Sequence, residues 1–150
     1  MITIQTCRAA DLAPWAADKM SELTKPGSIN SRWLASISAG SPAKDIPHDL
    51  TFSFASRDED FEIDVIGWVS IACWNGHPAL EGFVDPEFRG NGLAFSLACC
   101  LCLSQEVPRE VVAVFSPEFV SIAERLGFQN VKHFKRVDDG WVLSGGVSDG

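Results

Sequence analysis

One stretch near the middle of the chain limits its fold more than any other: Val84-Asp85-Pro86-Glu87-Phe88-Arg89-Gly90-Asn91-Gly92-Leu93-Ala94. It separates an apolar run that reads as a strand, Ala79–Val84, from a long apolar helix candidate, Leu93–Leu103. Pro86 has no N–H to give to a ladder and should end the strand. Gly90 and Gly92 permit positive φ and close backbone approach. A strand, a glycine-rich turn and a helix N-terminus in that order aim several unpaired N–H groups at one spot. Together with the positive end of the helix dipole, they make a cradle for phosphate.

Other glycine-rich turns fit less well. A P-loop needs Gly-x-x-x-x-Gly-Lys-Ser/Thr, and no Lys-Ser or Lys-Thr follows these glycines. The dinucleotide fingerprint needs Gly-x-Gly-x-x-Gly, but after Gly90-Asn91-Gly92 come Ala94 and Phe95. A left-handed turn without any ligand stays open on these residues alone.

The chain around the stretch alternates elements. Ile2–Thr6 reads as a first strand. Asp11 is a candidate N-cap for a helix with Pro14 in its first turn, running to Leu23, and Ser31 for a second carrying Trp33, Leu34 and Ile37 on one face. Leu50–Ala55 and Ile63–Trp74 read as strands, with Gly67 a bulge or twist point, and Asn75-Gly76 as the hairpin turn into Ala79–Val84. After the long helix, Val111–Phe115 is a short apolar strand, which suggests a βαβ crossover parallel to Ala79–Val84. Glu118–Leu126 is a helix stopped by Gly127, and Phe128–Val137 and Trp141–Leu143 close the chain as strands.

The string Val-x-Pro-x-x-Arg-Gly-x-Gly-Leu-Ala resembles the acetyl-CoA-binding motif of the GNAT superfamily of N-acetyltransferases. That family's pattern, Gln/Arg-x-x-Gly-x-Gly/Ala, is met here by Arg89, Gly92 and Ala94. In the neighbouring register Glu87 stands in place of Gln. Ala123-Glu124-Arg125-Leu126-Gly127-Phe128 resembles the family's late motif, commonly Tyr-Glu-Lys-Leu-Gly-Phe, and Ile66-Gly67-Trp68 resembles the Val-Gly-Phe of its third strand. The resemblance implies an α+β (mixed α/β) fold, a central twisted mixed sheet of about seven strands flanked by about four helices. It spans residues 1–143 as a single domain, with 144–150 as a flexible Gly- and Ser-rich tail.

The same resemblance assigns roles. The pyrophosphate of coenzyme A would rest on the backbone N–H groups of Arg89, Gly90, Asn91, Gly92, Leu93 and Ala94. Its pantetheine arm would pair with the Phe83-Val84 backbone where two parallel strands splay, and an N–H near Val84 would polarise the thioester carbonyl. Ser116 stands where an asparagine often contacts coenzyme A.

For the acceptor half, an amine with a pKa of about 10.4 must lose a proton before it attacks. Glu81, on the strand entering the motif, is the first candidate base, and a solvated strand carboxylate is its ordinary alternative. Leu80-Glu81-Gly82 also resembles a string in aminoglycoside 6′-N-acetyltransferases, with a spacing one residue shorter. His77, in the turn before that strand, is a weaker candidate. The tyrosine that protonates the departing thiolate in many members is replaced by Ala123, and the chain has no tyrosine. Ser116 or Ser121 could donate a proton through water, or serve only as a cap or surface hydroxyl. A thiol with a pKa of about 8.5 can also leave without an acid.

Composition narrows the partners. The formal net charge of −8 over 150 residues argues against general nucleic-acid binding, which needs clustered Lys and Arg. The acidic segment Asp58–Asp64 could steer a cationic amine acceptor or merely be solvated. No apolar stretch is long enough for a bilayer span and no leader opens the chain, so cytoplasmic residence is expected. Cys99 and Cys102 have metal-ligand spacing but lie in an apolar helix with no second pair, so no metal is expected. The expectation is an acetyl-CoA-dependent N-acetyltransferase acting on a primary amine: a protein lysine or N-terminus, a polyamine or an amino sugar. The alternative is a non-catalytic acyl-CoA-binding or protein-interaction module on the same fold. A homodimer is compatible with either.

Overall fold

The computed structural model describes residues 1–144, so most of the expected tail (145–150) lies outside the described residues. Along the chain come β1 (Ile2–Arg8), α1 (Pro14–Leu23), α2 (Ser31–Ser38), β2 (Thr51–Glu59), β3 (Glu62–Trp74) and β4 (His77–Val84). These are followed by α3 (Leu93–Gln105), β5 (Val111–Val114), α4 (Pro117–Arg125), β6 (Asn130–Val137) and β7 (Gly140–Leu143). The seven strands form one sheet in sequence order. Neighbours are antiparallel except β4–β5 and β5–β6, which are parallel across the α3 and α4 crossovers.

The hairpin signal acts as expected: Asn75 (φ 50) and Gly76 (φ 82) both take the positive φ that a tight β3–β4 turn requires. On the β2–β3 side, Ala55 faces Gly67 while Ser56 faces Val65, so Ile66 is the extra residue of a bulge next to Gly67.

Helices cover both faces. Leu97 and Leu101 of α3 and Ile122 of α4 pack on Val69, Leu80, Val112 and Val114. On the opposite face, Met20 of α1 and Leu34 of α2 pack on Phe52, Phe54 and Trp68. Trp68 is fully buried, and its indole N–H donates to Met20 O (3.2 Å) and Thr24 Oγ1 (3.1 Å). A buried indole N–H needs a partner, and this one ties down the end of α1 from which the loop to α2 departs.

Two expected helix starts differ. Asp11 belongs to a separate 3-10 turn, Ala9–Asp11, and α1 begins at Pro14. Proline at the first helical position has its φ preset and no N–H to satisfy, so the helix starts there without a side-chain cap. Ser31 is the first residue of α2, not its cap; Asn30 occupies the cap position but makes no cap hydrogen bond. Its amide is directed elsewhere, to Ser70 and Glu81.

Candidate active site

Strands β4 and β5 pair at only two positions, Ala79↔Ala113 and Leu80↔Val114. Strand β4 continues to Val84 against β3, whereas β5 stops because Ser116 caps α4 and Pro117 opens it. Strand β6 runs on past His133, the residue level with Val114, to Val137. The sheet therefore contains a slot one strand wide, with β4 and β6 as its sides.

Alternation along β4 decides which amides face that slot. The N–H of Asp85 donates to Ile66 O at 2.9 Å, so Asp85 and, two residues back, Phe83 face the β3 ladder. Gly82 and Val84 then turn their N–H groups to the slot. Arg89 Nε donates to Val84 O at 3.1 Å, which occupies that carbonyl and leaves the amide. Phe83 thus contributes its ring to the cleft while its amide belongs to the ladder, a parity that the residue types do not reveal. Gly82 is required by space: a Cβ there would lie 2.4 Å from Trp68 O and 3.0 Å from the Phe119 ring.

Beyond Val84 the chain makes a 3-10 turn, Pro86–Phe88, and then the glycine bend, with Gly90 at φ 84 and Gly92 at φ 75. A Cβ at either glycine would meet nothing within 4 Å, so the bend is open. The first helical bond of α3 runs from Ser96 N–H to Gly92 O (3.0 Å), which leaves the N–H groups of Leu93, Ala94 and Phe95 ahead of the ladder. They border a cleft of about 300 Å³ that also receives Arg89, Arg125 and Ser121. The Arg125 guanidinium is stacked 3.9 Å from the Phe95 ring centroid. Glu118 is at the same cleft, but open glycines, the leading amides of α3 and two arginines outweigh that one carboxylate and fit a diphosphate.

The other cleft, about 480 Å³, lies at the slot and is bordered by Glu81, Gly82, Phe83, Ser116 and the α1–α2 loop. Glu81 is 4% exposed. Its Oε1 accepts from Ser28 Oγ (2.6 Å) and Asn30 Nδ2 (3.3 Å), and its Oε2 from Ile29 N–H (3.1 Å). Asn30 Nδ2 also donates to Ser70 Oγ at 2.7 Å, which explains why Asn30 does not cap α2. Burial pushes the Glu81 carboxyl above its ordinary value, against the opposing pull of the hydrogen bonds from Ser28, Ile29 and Asn30. A carboxylate raised in this way is a better proton acceptor at neutral pH.

The structure brings together Glu81, Gly82, Phe83 and Ser116 at one cleft, and Val84, Arg89, Gly90, Gly92, Leu93 and Ala94 at the other. It does not bring Ser121 to Glu81, because Ser121 borders the glycine bend. Ala123 is fully buried in the α3–α4 core. Asn91, between the two glycines, is exposed. His77 borders a separate cleft with Cys73 and Pro78. Gly82, Arg125 and the loop residues Ser28 and Asn30 were not singled out by sequence reasoning. For Arg125 the signal was present in the late motif, while Ser28 and Asn30 meet Glu81 across more than fifty residues of chain.

No family model matches the chain, and no curated protein matches it. Solved structures do. An acetyltransferase of Trypanosoma brucei is similar over 92% of this chain and 99% of its own, at 19% identity and a TM-score of 0.55. An aminoglycoside N-acetyltransferase in complex with CoA is similar over 86% of this chain and 88% of its own, at 23% identity and a TM-score of 0.50. The chain has the GNAT fold: a seven-stranded mixed sheet, splayed between β4 and β5, with four helices on its faces. Among the described residues, no helix is long and apolar enough to cross a membrane.

Proposed function

We propose that the protein transfers an acetyl group from acetyl-CoA to a primary amine. The observation that carries this reading is the slot. The Gly82 and Val84 amides face it from one edge, with an open diphosphate-shaped bend on one side and a buried carboxylate on the other.

Acetyl-CoA would supply the activated acyl group, held by the bend amides, Arg89 and Arg125, with its arm along the free edge of β4. The Val84 N–H would donate to the acyl oxygen as negative charge develops there. Glu81 accepts the proton that the attacking ammonium loses, directly or through one water. A C–N bond forms, the C–S bond breaks, the sulfur leaves as thiolate, and the second proton of the nitrogen passes through solvent to it, giving neutral amide and thiol. Ser116 Oγ, which accepts from Phe119 N–H at 3.4 Å as the α4 cap, retains its own proton at the same cleft and is the nearer serine for that step. Side-by-side binding of the two reactants provides much of the acceleration.

A second reading, a non-catalytic acyl-CoA-binding module, is favoured by one observation: Glu81 already receives hydrogen bonds from Ser28, Ile29 and Asn30 and could simply anchor the loop. Thermal shift with acetyl-CoA, run beside thiol release over an amine panel, separates the two. Stabilisation with thiol release supports transfer; stabilisation without it supports the binding module.

A further inference from the structure

We infer that the acceptor is a small amine that carries its own oxyanion, a carboxylate or phosphate, which docks on Lys25, Lys135 and Arg136. This rests on the acetyl-transfer reading and names the substrate class of that site.

The charge of the cleft runs against that of the chain. The whole protein has a formal charge of −8, yet Lys25, Lys135 and Arg136 line the cleft and, among the described residues, Glu81 is its sole carboxylate. Glu81 is buried beneath loop donors and offers little compensation to cations at the rim. Among the described residues, no carboxylate lies within ion-pair distance of Lys25, Lys135 or Arg136. The acidic hairpin does not line this cleft: Glu59 pairs with Glu62 at its tip, beyond the level of Val84, and Asp64 lies 3.6 Å from Lys19. His133, also at the cleft, is held below its usual range by burial and by Lys135, so it adds less positive charge there than the three longer side chains.

The arrangement also has a direction. Arg136 Nη1 donates to Gly27 O, and the next residue, Ser28, donates to Glu81. A guanidinium and the proposed base are therefore fixed to consecutive loop residues, with α-carbons about 3.8 Å apart. An amine presented to Glu81 would place a substituent a few bonds away against Arg136 and Lys25. Phe115, Phe119 and Trp141 supply apolar walls for the body of such a molecule. A polyamine would instead bring further positive charge against three cations, a like-charge juxtaposition that disfavours it.

The test is a matched-pair panel with saturating acetyl-CoA, read as kcat/KM from thiol release. One pair is a free amino acid and its carboxamide, another an amino-sugar phosphate and its dephosphorylated form, with spermidine beside them. The anionic member should win by about tenfold in at least one pair, and the winning pair tells carboxylate from phosphate. Lys25→Glu and Lys135→Glu, both at exposed positions, should erase that preference mainly through KM, and Lys25→Arg should keep it. Equal or better turnover of the neutral member in both pairs, or spermidine as the best acceptor, overturns the inference while acetyl transfer stands. Acetyl-CoA binding with no thiol release from any amine also overturns it and leaves the binding module. Absence of acetyl-CoA stabilisation removes the functional reading itself and this inference with it.

Discussion

Ser28 donates its hydroxyl hydrogen to Oε1 of Glu81 over 2.6 Å, joining the loop between α1 and α2 to the strand that enters the glycine bend. The α1–α2 loop and the proposed base are thereby one unit, so a change in either should be felt in the other. Replacing Ser28 by Ala removes a hydrogen bond that favours the charged carboxylate. The midpoint of the pH–kcat profile should move upward in Ser28→Ala, and a change confined to KM would mean that the contact only tethers the loop.

Glu81→Gln should lower turnover by about a hundredfold or more, the usual contribution of a general base, while acetyl-CoA still stabilises the protein. Unchanged turnover would remove Glu81 from the chemistry.

Stability should report the same buried carboxyl. Its folded pKa is raised above the ordinary value of 4.5, so the folded state favours the protonated form. That contribution is fully present below the unfolded pKa and is lost as pH rises through the folded one. The Tm of the wild type relative to Glu81→Gln should therefore fall from acidic to neutral pH, and a difference that grows with pH would contradict the assignment.

The two kinds of glycine in the site should separate cleanly. Gly92→Ala places a Cβ in open space at positive φ and should cost about 1 kcal/mol. Gly82→Ala drives a Cβ into the Trp68 carbonyl and should cost more, about 3 kcal/mol. Gly92→Trp should keep the fold and abolish stabilisation by acetyl-CoA. Urea unfolding with and without ligand checks all three.

Much of this was legible in local signals. Asn75-Gly76 fixes its own turn, Gly67 sits beside the bulge at Ile66, and Gly90 and Gly92 adopt the positive φ their spacing suggests. Asp11 misled because Pro14 starts a helix without needing a cap. What stayed hidden depends on partners far away in sequence. That β3 holds the Phe83 amide follows from a ladder parity set by Asp85 and Ile66. Arg136 reaches Gly27 across 109 residues, so the basic run Lys132–Arg136 is visible in the sequence while its meeting with the Lys25 loop at one cleft is not.

Arg125 offers a check on the phosphate side. Arg125→Ala should weaken CoA by about tenfold and leave affinity for pantetheine, which lacks the diphosphate, unchanged. Equal losses for both ligands would place Arg125 in packing on Phe95 alone.

Amide hydrogen exchange with and without CoA tests the central claim most directly. Binding at the slot and the bend predicts new protection at Gly82 and Val84 and at Leu93, Ala94 and Phe95, with Phe83 unchanged because β3 already holds its amide. Saturating CoA that leaves those amides exchanging as before would contradict the account.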